Sequence, residues 1–412
     1  MCAGASAPAP ARLKRLPDPT YAHAIRWGQA GCPVTDGAYL GTSMAFSAEM
    51  TTTSARSGCR ESDWWKTAVV YQIYPRSFAD SDGDGIGDLT GIMQRLDYLA
   101  ELGVDVVWLS PIYRSPQHDN GYDISDYQDI DATFGSLHDF ERLLSMVHDR
   151  GMKLIMDMVV NHTSDKHPWF VESRSSLQNP KRDWYWWRPP RAGMAPGDPG
   201  AEPTNWLSFF SGPTWQLDPA TKEYYLHLFS WKQPDLNWEN PDVRQAIYQM
   251  MGWWLDKGVD GFRMDVINML SKDPALPDGR PVRGGPFGDG KPHFISGPRI
   301  HEYLQEMHRE VFAGRDGHYL TVGEMPGATV DEALLYTDPA RHELDMLFQF
   351  EHVVLDHGAT KWEPHPLALR DLKASLGRWQ LGLAERGWNS LYWSNHDQPR
   401  IVSRFGDEGA HR

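Results

Sequence analysis

The stretch "MKLIMDMVV", residues 152–160, is apolar almost throughout. A strand with one wet face would alternate apolar and polar residues. This one does not, so both its faces are covered, as in a parallel sheet packed between helices. Its flanks agree. "SLHDFERLLSMVHDRG" (136–151) has helical spacing, with Ser136 as cap and Gly151 closing. Working outward, strand and helix patterns keep alternating. Strands are expected in "AVVYQIYPRSF" (68–78), "VDVVWLSPI" (104–112), "VDGFRMDV" (259–266), "YLTVGEM" (319–325), "LDMLFQFEHV" (344–353) and "NSLYWSNHD" (389–397). Helices are expected over 90–103, 240–258, 299–312 and 367–387. Seven strands separated mostly by helices spell an α/β protein, a (β/α)8 TIM barrel.

Two stretches interrupt the rhythm. Residues 161–236, after the third strand, are rich in Trp, Pro, Asn and Asp and too long for a plain loop, so an inserted subdomain is expected. Residues 271–298 form a Gly- and Pro-rich loop after the fourth strand. Both leave from C-terminal strand ends, where barrels build their sites. Residues 1–60 are Ala-, Pro-, Ser- and Gly-rich without a period, and read as a disordered or non-native extension. The catalytic barrel is then 61–412. It is expected to be incomplete, lacking an eighth strand.

Net charge is −15. That disfavours nucleic acid and anionic membrane surfaces, which need a basic face. The three cysteines lie within the first 60 residues, so no disulfide framework is expected. No apolar run is long enough to span a bilayer. These features point to a cytoplasmic protein, expected to be a monomer, acting on a neutral small molecule.

Polar residues that break apolar strands collect at C-terminal strand ends. The third strand offers Asp157, Asn161 and His162. The fourth offers Asp265, two residues after Arg263 and so on the same face. The fifth offers Glu324, and the seventh Asn395, His396 and Asp397. Three acids, two histidines and an arginine around one barrel mouth suit cleavage of a glycosidic bond, one carboxylate attacking carbon and another protonating the leaving oxygen.

"DMVVNHT", "GFRMDVIN", "VGEM" and "SNHD" resemble the four signature regions of the α-amylase family of retaining glycoside hydrolases. "QPDLNW" (233–238) resembles a fifth region in its oligo-1,6-glucosidase and α-glucosidase branch, and "WWKTAVVYQIYPRSF" and "GIGDLTGI" are similar to that branch's first strand and loop. The resemblance implies Asp265 as nucleophile, Glu324 as general acid and base, and Asp397 as the third acid. It implies Asp119, Tyr122, His162, Phe210, Phe229, Gln233, Arg263 and His396 as substrate contacts, with Asp157 and Asn161 supporting them. Arg263 should keep Asp265 ionised. Glu324 has no cation within its own strand, which suits an acid. Val266 after the nucleophile implies a leaning toward α-1,6 bonds. The family's C-terminal β-domain and a late pocket arginine have no counterpart in this sequence.

The resemblance thus implies an exo-acting α-glucosidase on short oligosaccharides. A glucosyl transferase or sugar isomerase on the same site, a non-catalytic relative, and an inactive truncated homologue are the alternatives. "DSDGDGIGD" (80–88) spaces Asp80, Asp82, Asp84 and Asp88 as hard oxygen ligands, with the Ile86 carbonyl completing the set. Similar loops in the family bind structural Ca²⁺, and Mg²⁺ is the other candidate.

Overall fold

The computed structural model describes residues 24–26, 61–282, 285–358 and 361–406. Six parallel strands lie side by side in chain order: β1 (Val69–Ile73), β2 (Val106–Leu109), β3 (Lys153–Met158), β4 (Gly261–Met264), β5 (Leu320–Glu324) and β6 (Met346–Phe348). Neighbours in space are neighbours in sequence, as right-handed βα units require. The short strand Ala24–Arg26 pairs antiparallel with the free edge of β1. The remainder of the 1–60 extension lies outside the described residues.

Helices cover the outside: α1 (Leu96–Leu102), α2 (Leu137–His148), α3 (Pro241–Asp256), α4 (Ile300–Met307), α5 (Val330–Thr337) and α6 (Leu369–Gly382). Ser136 accepts from the Asp139 N–H, and the Asp139 carboxylate returns the bond, a capping box that starts α2. Phe140, Leu143, Leu144 and Val147 of α2 are buried. Truncating Phe140 to Ala would cost about 3–5 kcal/mol. The helix expected over 90–103 is two short ones. Leu89–Met93 is followed by α1, which ends at left-handed Gly103.

Side-chain alternation sorts each strand. Val106, Trp108, Ile155, Leu320, Val322, Met346 and Phe348 fill the barrel interior. Leu109, Leu154, Met156, Phe262 and Met264 face the helices. Gly261 opens β4 with φ +147°, and a Cβ there would meet the Leu320 carbonyl at 2.0 Å. Strand pairing this close needs glycine.

The segment after β3 carries a helix (Pro168–Ser175) and a three-stranded antiparallel sheet of Trp187–Arg188, Trp215–Leu217 and Tyr224–Leu226. It returns to the end of β3, where His162 bridges Asp235. The seventh strand expected over 389–397 does not form. Asn389 makes one parallel bridge to Leu347. Beyond it, the Ser390 and Tyr392 hydroxyls bond the Leu347 and Gln349 carbonyls, acceptors that a ladder strand would have used. No described helix is long and apolar enough to cross a membrane.

Candidate active site

Interior-facing positions at the C-terminal strand ends are polar. Gln72 comes from β1, Trp108 from β2, Asp157 from β3, Arg263 from β4 and Glu324 from β5. The register sets Arg263 opposite Asp157. All of these are buried beneath one cavity of about 1790 Å³. Asp119, Tyr122, His162, Phe210, Phe229, Asp265, Val266, Glu324, His396 and Asp397 line it. Gln233 lies behind the wall, holding Asp119.

Arg263 is the hub. Its Nη1 donates to Asp157 Oδ1 at 2.7 Å and to Asp265 Oδ1 at 2.8 Å. Its Nη2 pairs with Glu324 Oε2 at 2.7 Å. The guanidinium lies 5.2 Å from the centre of the Trp108 ring. Two expectations change. Glu324 has no cation in its own strand, yet Arg263 reaches it from β4. Arg263 also does not hold Asp265 low. Burial and the charge of Glu324 outweigh it, and the Asp265 carboxyl is pushed well above the ordinary range. Asp157, gripped by Arg263, Tyr122 and Trp108, is pushed by burial up to about 6.

Asp265 follows β4 in a sharp turn. Val266 follows in the left-handed region, φ 35° and ψ 42°, a conformation that costs a β-branched residue roughly 1–2 kcal/mol. The turn aims the Val266 N–H at Glu324 Oε2, 3.2 Å away.

One end of the cavity is closed by a hydrogen-bonded cluster. Gln233 Nε2 donates to Asp119 Oδ2 at 2.7 Å. His162 contacts the Tyr122 carbonyl and Gln233, each at 3.2 Å. Burial raises Asp119, while the Gln233 bond opposes that. Phe229 packs on His162 and Phe209, and half-exposed Phe210 forms the rim. His396 stacks between Tyr122 and Tyr74, with Gln72 Nε2 at 2.9 Å from its Nδ1. Burial pulls His162 and His396 each down to about 4, so both are neutral at pH 7. Asp397 sits beside His396 at 3.5 Å and is raised by burial.

Gln72, Tyr74, Trp108 and Phe209 also reach the site, beyond the residues that the sequence motifs mark. Gln72 and Trp108 could have been marked too. Each is an interior position at a strand end by simple alternation. Tyr74 and Phe209 carry no such signal.

The acidic loop behaves differently from the expectation in one respect. Carboxylate oxygens of Asp80, Asp82 and Asp88 lie within 4.8 Å of one another. Asp84 is outside that set, turned to the Ile86 N–H at 2.7 Å. Three hard oxygen donors converging this way fit Ca²⁺. Asp88 also caps the helix Leu89–Met93.

The alpha amylase catalytic-domain model matches residues 72–412. An oligo-1,6-glucosidase of Parageobacillus thermoglucosidasius is 62% identical over 85% of this chain and 61% of its own length. One from Halalkalibacterium halodurans is 63% identical over the same shares. The crystal structure of a Bacillus licheniformis trehalose-6-phosphate hydrolase (TreA) variant superposes with TM-score 0.79 at 50% identity, covering 84% of this chain and 60% of that one. The chain therefore spans about three-fifths of the length of the relatives it matches. With the barrel, its polar mouth and these matches together, the chain belongs to the alpha-amylase family.

Proposed function

We propose that the chain is a retaining, exo-acting α-glucosidase that hydrolyses terminal α-1,6 and α-1,4 glucosidic bonds of short isomaltose- and maltose-type oligosaccharides. The observation that carries this is Arg263 gripping Asp265 and Glu324 with its two terminal nitrogens. Two carboxyls held on one guanidinium suit the closely spaced pair of a retaining enzyme better than the wider pair of an inverting one.

In the first step an Asp265 oxygen attacks the glucosyl anomeric carbon. The bond to the leaving oxygen breaks, and that oxygen takes a proton from Glu324. A glucosyl ester on Asp265 results. In the second step Glu324 takes a proton from water, the water oxygen bonds to the same carbon, and Asp265 leaves as carboxylate. The first step needs a carboxylate at Asp265 and a proton to give at Glu324. Asp397 and neutral His396 and His162 would hold ring hydroxyls. The closed end at Asp119, Gln233 and His162 supports recognition of a chain end. Val266 would bias the choice of bond toward α-1,6. Ca²⁺ on Asp80, Asp82 and Asp88 would brace the loop after β1. A cytoplasmic monomer is part of the same proposal, tested by fractionation and light scattering.

The test is release of p-nitrophenol from its α-glucoside by this chain against Asp265→Asn. A drop of at least about a thousandfold is expected, with products of maltose, isomaltose and sucrose separating hydrolysis from glucosyl transfer. Equal rates for the two proteins would reject the reading.

A further inference from the structure

His352 is buried in the turn after β6 and does not line the cavity. Its Nδ1 lies 2.8 Å from Gln349 Nε2, and its Nε2 lies 2.8 Å from the Tyr392 carbonyl. The Gln349 amide has one orientation. Its Oε1 takes the Glu351 N–H at 2.7 Å, and a backbone N–H can only donate. Gln349 therefore turns its NH₂ toward His352, and Nδ1 must accept. The ring's proton is then on Nε2, facing a carbonyl that can only accept. Burial pulls this ring down to about 4, so it is neutral at pH 7. The turn is itself anchored from the helix layer, since Trp379 Nε1 and Arg378 of α6 both bond the Glu351 carboxylate.

Tyr392 lies five residues before Asp397, on the segment that meets β6 through one bridge rather than a ladder. A ladder strand is placed by its own backbone bonds. Here side chains place it. The Tyr392 hydroxyl bonds the Gln349 carbonyl at 2.5 Å. Its ring packs edge-on against Phe348 and His352, each with 4.8 Å between ring centres. The bond from His352 Nε2 grips the main chain directly. From Tyr392 the chain runs on to His396 and Asp397, which line the cavity.

We infer that His352 is a positioning residue: as its Nε2–H tautomer it fixes the Tyr392 carbonyl, and with it the segment that delivers His396 and Asp397 to the cavity. The inference rests on the glucosidase reading for the sugar hydroxyls that those two residues would hold. A group misplaced by about 1 Å can cost on the order of a hundredfold in rate, even when the cause lies away from the chemistry.

The experiment is ¹⁵N NMR of the histidine-labelled full chain, with His352 assigned by its loss in His352→Gln. The wild type should show His352 protonated on Nε2 at pH 7. Two variants then isolate that donor. His352→Asn can still accept from the Gln349 amide but is too short to reach the Tyr392 carbonyl, whereas His352→Gln is long enough. His352→Asn should speed hydrogen exchange over residues 392–397 and lower kcat/KM for p-nitrophenyl α-glucoside, each by about tenfold or more. His352→Gln should stay within about threefold of the wild type in both. Action through Asp397 adds a further requirement. Asp397→Asn should weaken glucose binding, measured by calorimetry, and adding His352→Asn to it should weaken binding by less than about twofold more.

His352 protonated on Nδ1 in the wild type would overturn the inference. So would a His352→Gln chain that loses as much as His352→Asn, or losses in glucose binding from His352→Asn and Asp397→Asn that simply multiply. If His352→Asn does not fold, the wild-type tautomer and the activity retained by His352→Gln decide it. A wild type that neither turns over the glucoside nor binds glucose would reject the glucosidase reading, and the tautomer and exchange rates would still decide whether His352 holds the segment.

Discussion

Val266 donates its backbone N–H to Glu324 Oε2 at 3.2 Å from a left-handed conformation that a β-branched residue seldom adopts. Its side chain is buried and faces the cavity. One residue thus joins the two candidate catalytic carboxyls through its backbone and shapes the pocket through its methyl groups. Val266→Thr keeps the branched shape, and so the turn, while replacing a methyl with a hydroxyl. The ratio of kcat/KM for isomaltose over maltose is expected to fall about tenfold, on the order of 1.4 kcal/mol. A ratio equal to that of the wild type would remove Val266 from the specificity argument.

Arg263 binds three carboxylates with two nitrogens, and a lysine ammonium at the end of a single stem cannot reproduce that fork. Arg263→Lys should lower kcat by about two to three orders of magnitude, roughly 3–4 kcal/mol. Its pH profile should shift in a defined direction. Arg263 pulls the Asp265 carboxyl down against burial. Weakening that pull raises Asp265 further, so activity that needs ionised Asp265 is lost at a higher pH. An acid limb that stays in place, with kcat reduced, would mean that Arg263 only orients the acids. Circular dichroism at each pH separates either outcome from unfolding.

How much of this was readable from the chain follows from what alternation can and cannot encode. Asp157, Arg263, Asp265 and Glu324 stand out because charges interrupt strands that are otherwise covered on both faces. Period two then puts Asp157, Arg263 and Glu324 on the inner face. The sharing of Arg263 was not readable. It depends on the register between β3, β4 and β5, which sets Arg263 opposite Asp157 and brings Glu324 within reach. The buried pair of Lys272 Nζ and Asp235 Oδ2, 2.9 Å apart, is hidden for a related reason. Its partners come from two irregular segments that meet only once the insertion folds back on β3. The seventh strand was over-read because "NSLYW" has strand composition, whereas the side chains of Ser390 and Tyr392 capture the carbonyls that a ladder would need.

His167 offers a clean test of acid sensitivity away from the cavity. Its Nδ1 caps the helix Pro168–Ser175 by accepting the Trp169 N–H at 3.1 Å. Burial pulls it from 6.5 down to about 3. The folded protein therefore keeps this ring neutral, while the unfolded chain protonates it below pH 6.5. Its contribution to stability is full above that pH and is lost as pH falls toward about 3. Asp157 acts in the opposite sense, since its raised value favours the folded state on acidification. The net slope mixes such terms, so the comparison must be with a single variant. His167→Asn keeps a cap acceptor and removes the titration. Its stability relative to wild type, from urea midpoints, should improve by about 3 kcal/mol between pH 6.5 and pH 4. A pH-independent difference would show that the ring does not titrate across folding.

The loop at 80–88 can be a metal site or a self-satisfied acidic turn, and chelation tells them apart. In favour of a turn, Asp80 accepts the N–H groups of Asp82, Gly83 and Gly85, which pull its carboxyl below the ordinary value. In favour of a metal, carboxylate oxygens of Asp80, Asp82 and Asp88 converge within 4.8 Å, an arrangement of like charges that a divalent cation would stabilise. A cation bound at a hundred times its dissociation constant adds about 2.7 kcal/mol. For a chain of this size that is a melting shift of roughly 3–4 °C. Excess EDTA should therefore lower Tm by about that amount. Added Ca²⁺ should restore it, and Mg²⁺ should do so poorly, because Mg²⁺ demands near-ideal octahedral geometry and gives up its water reluctantly. Asp82→Asn removes one charged ligand without touching the Asp88 helix cap, and should abolish the response to EDTA. A wild-type Tm that ignores EDTA would leave the loop as a turn held by its own backbone.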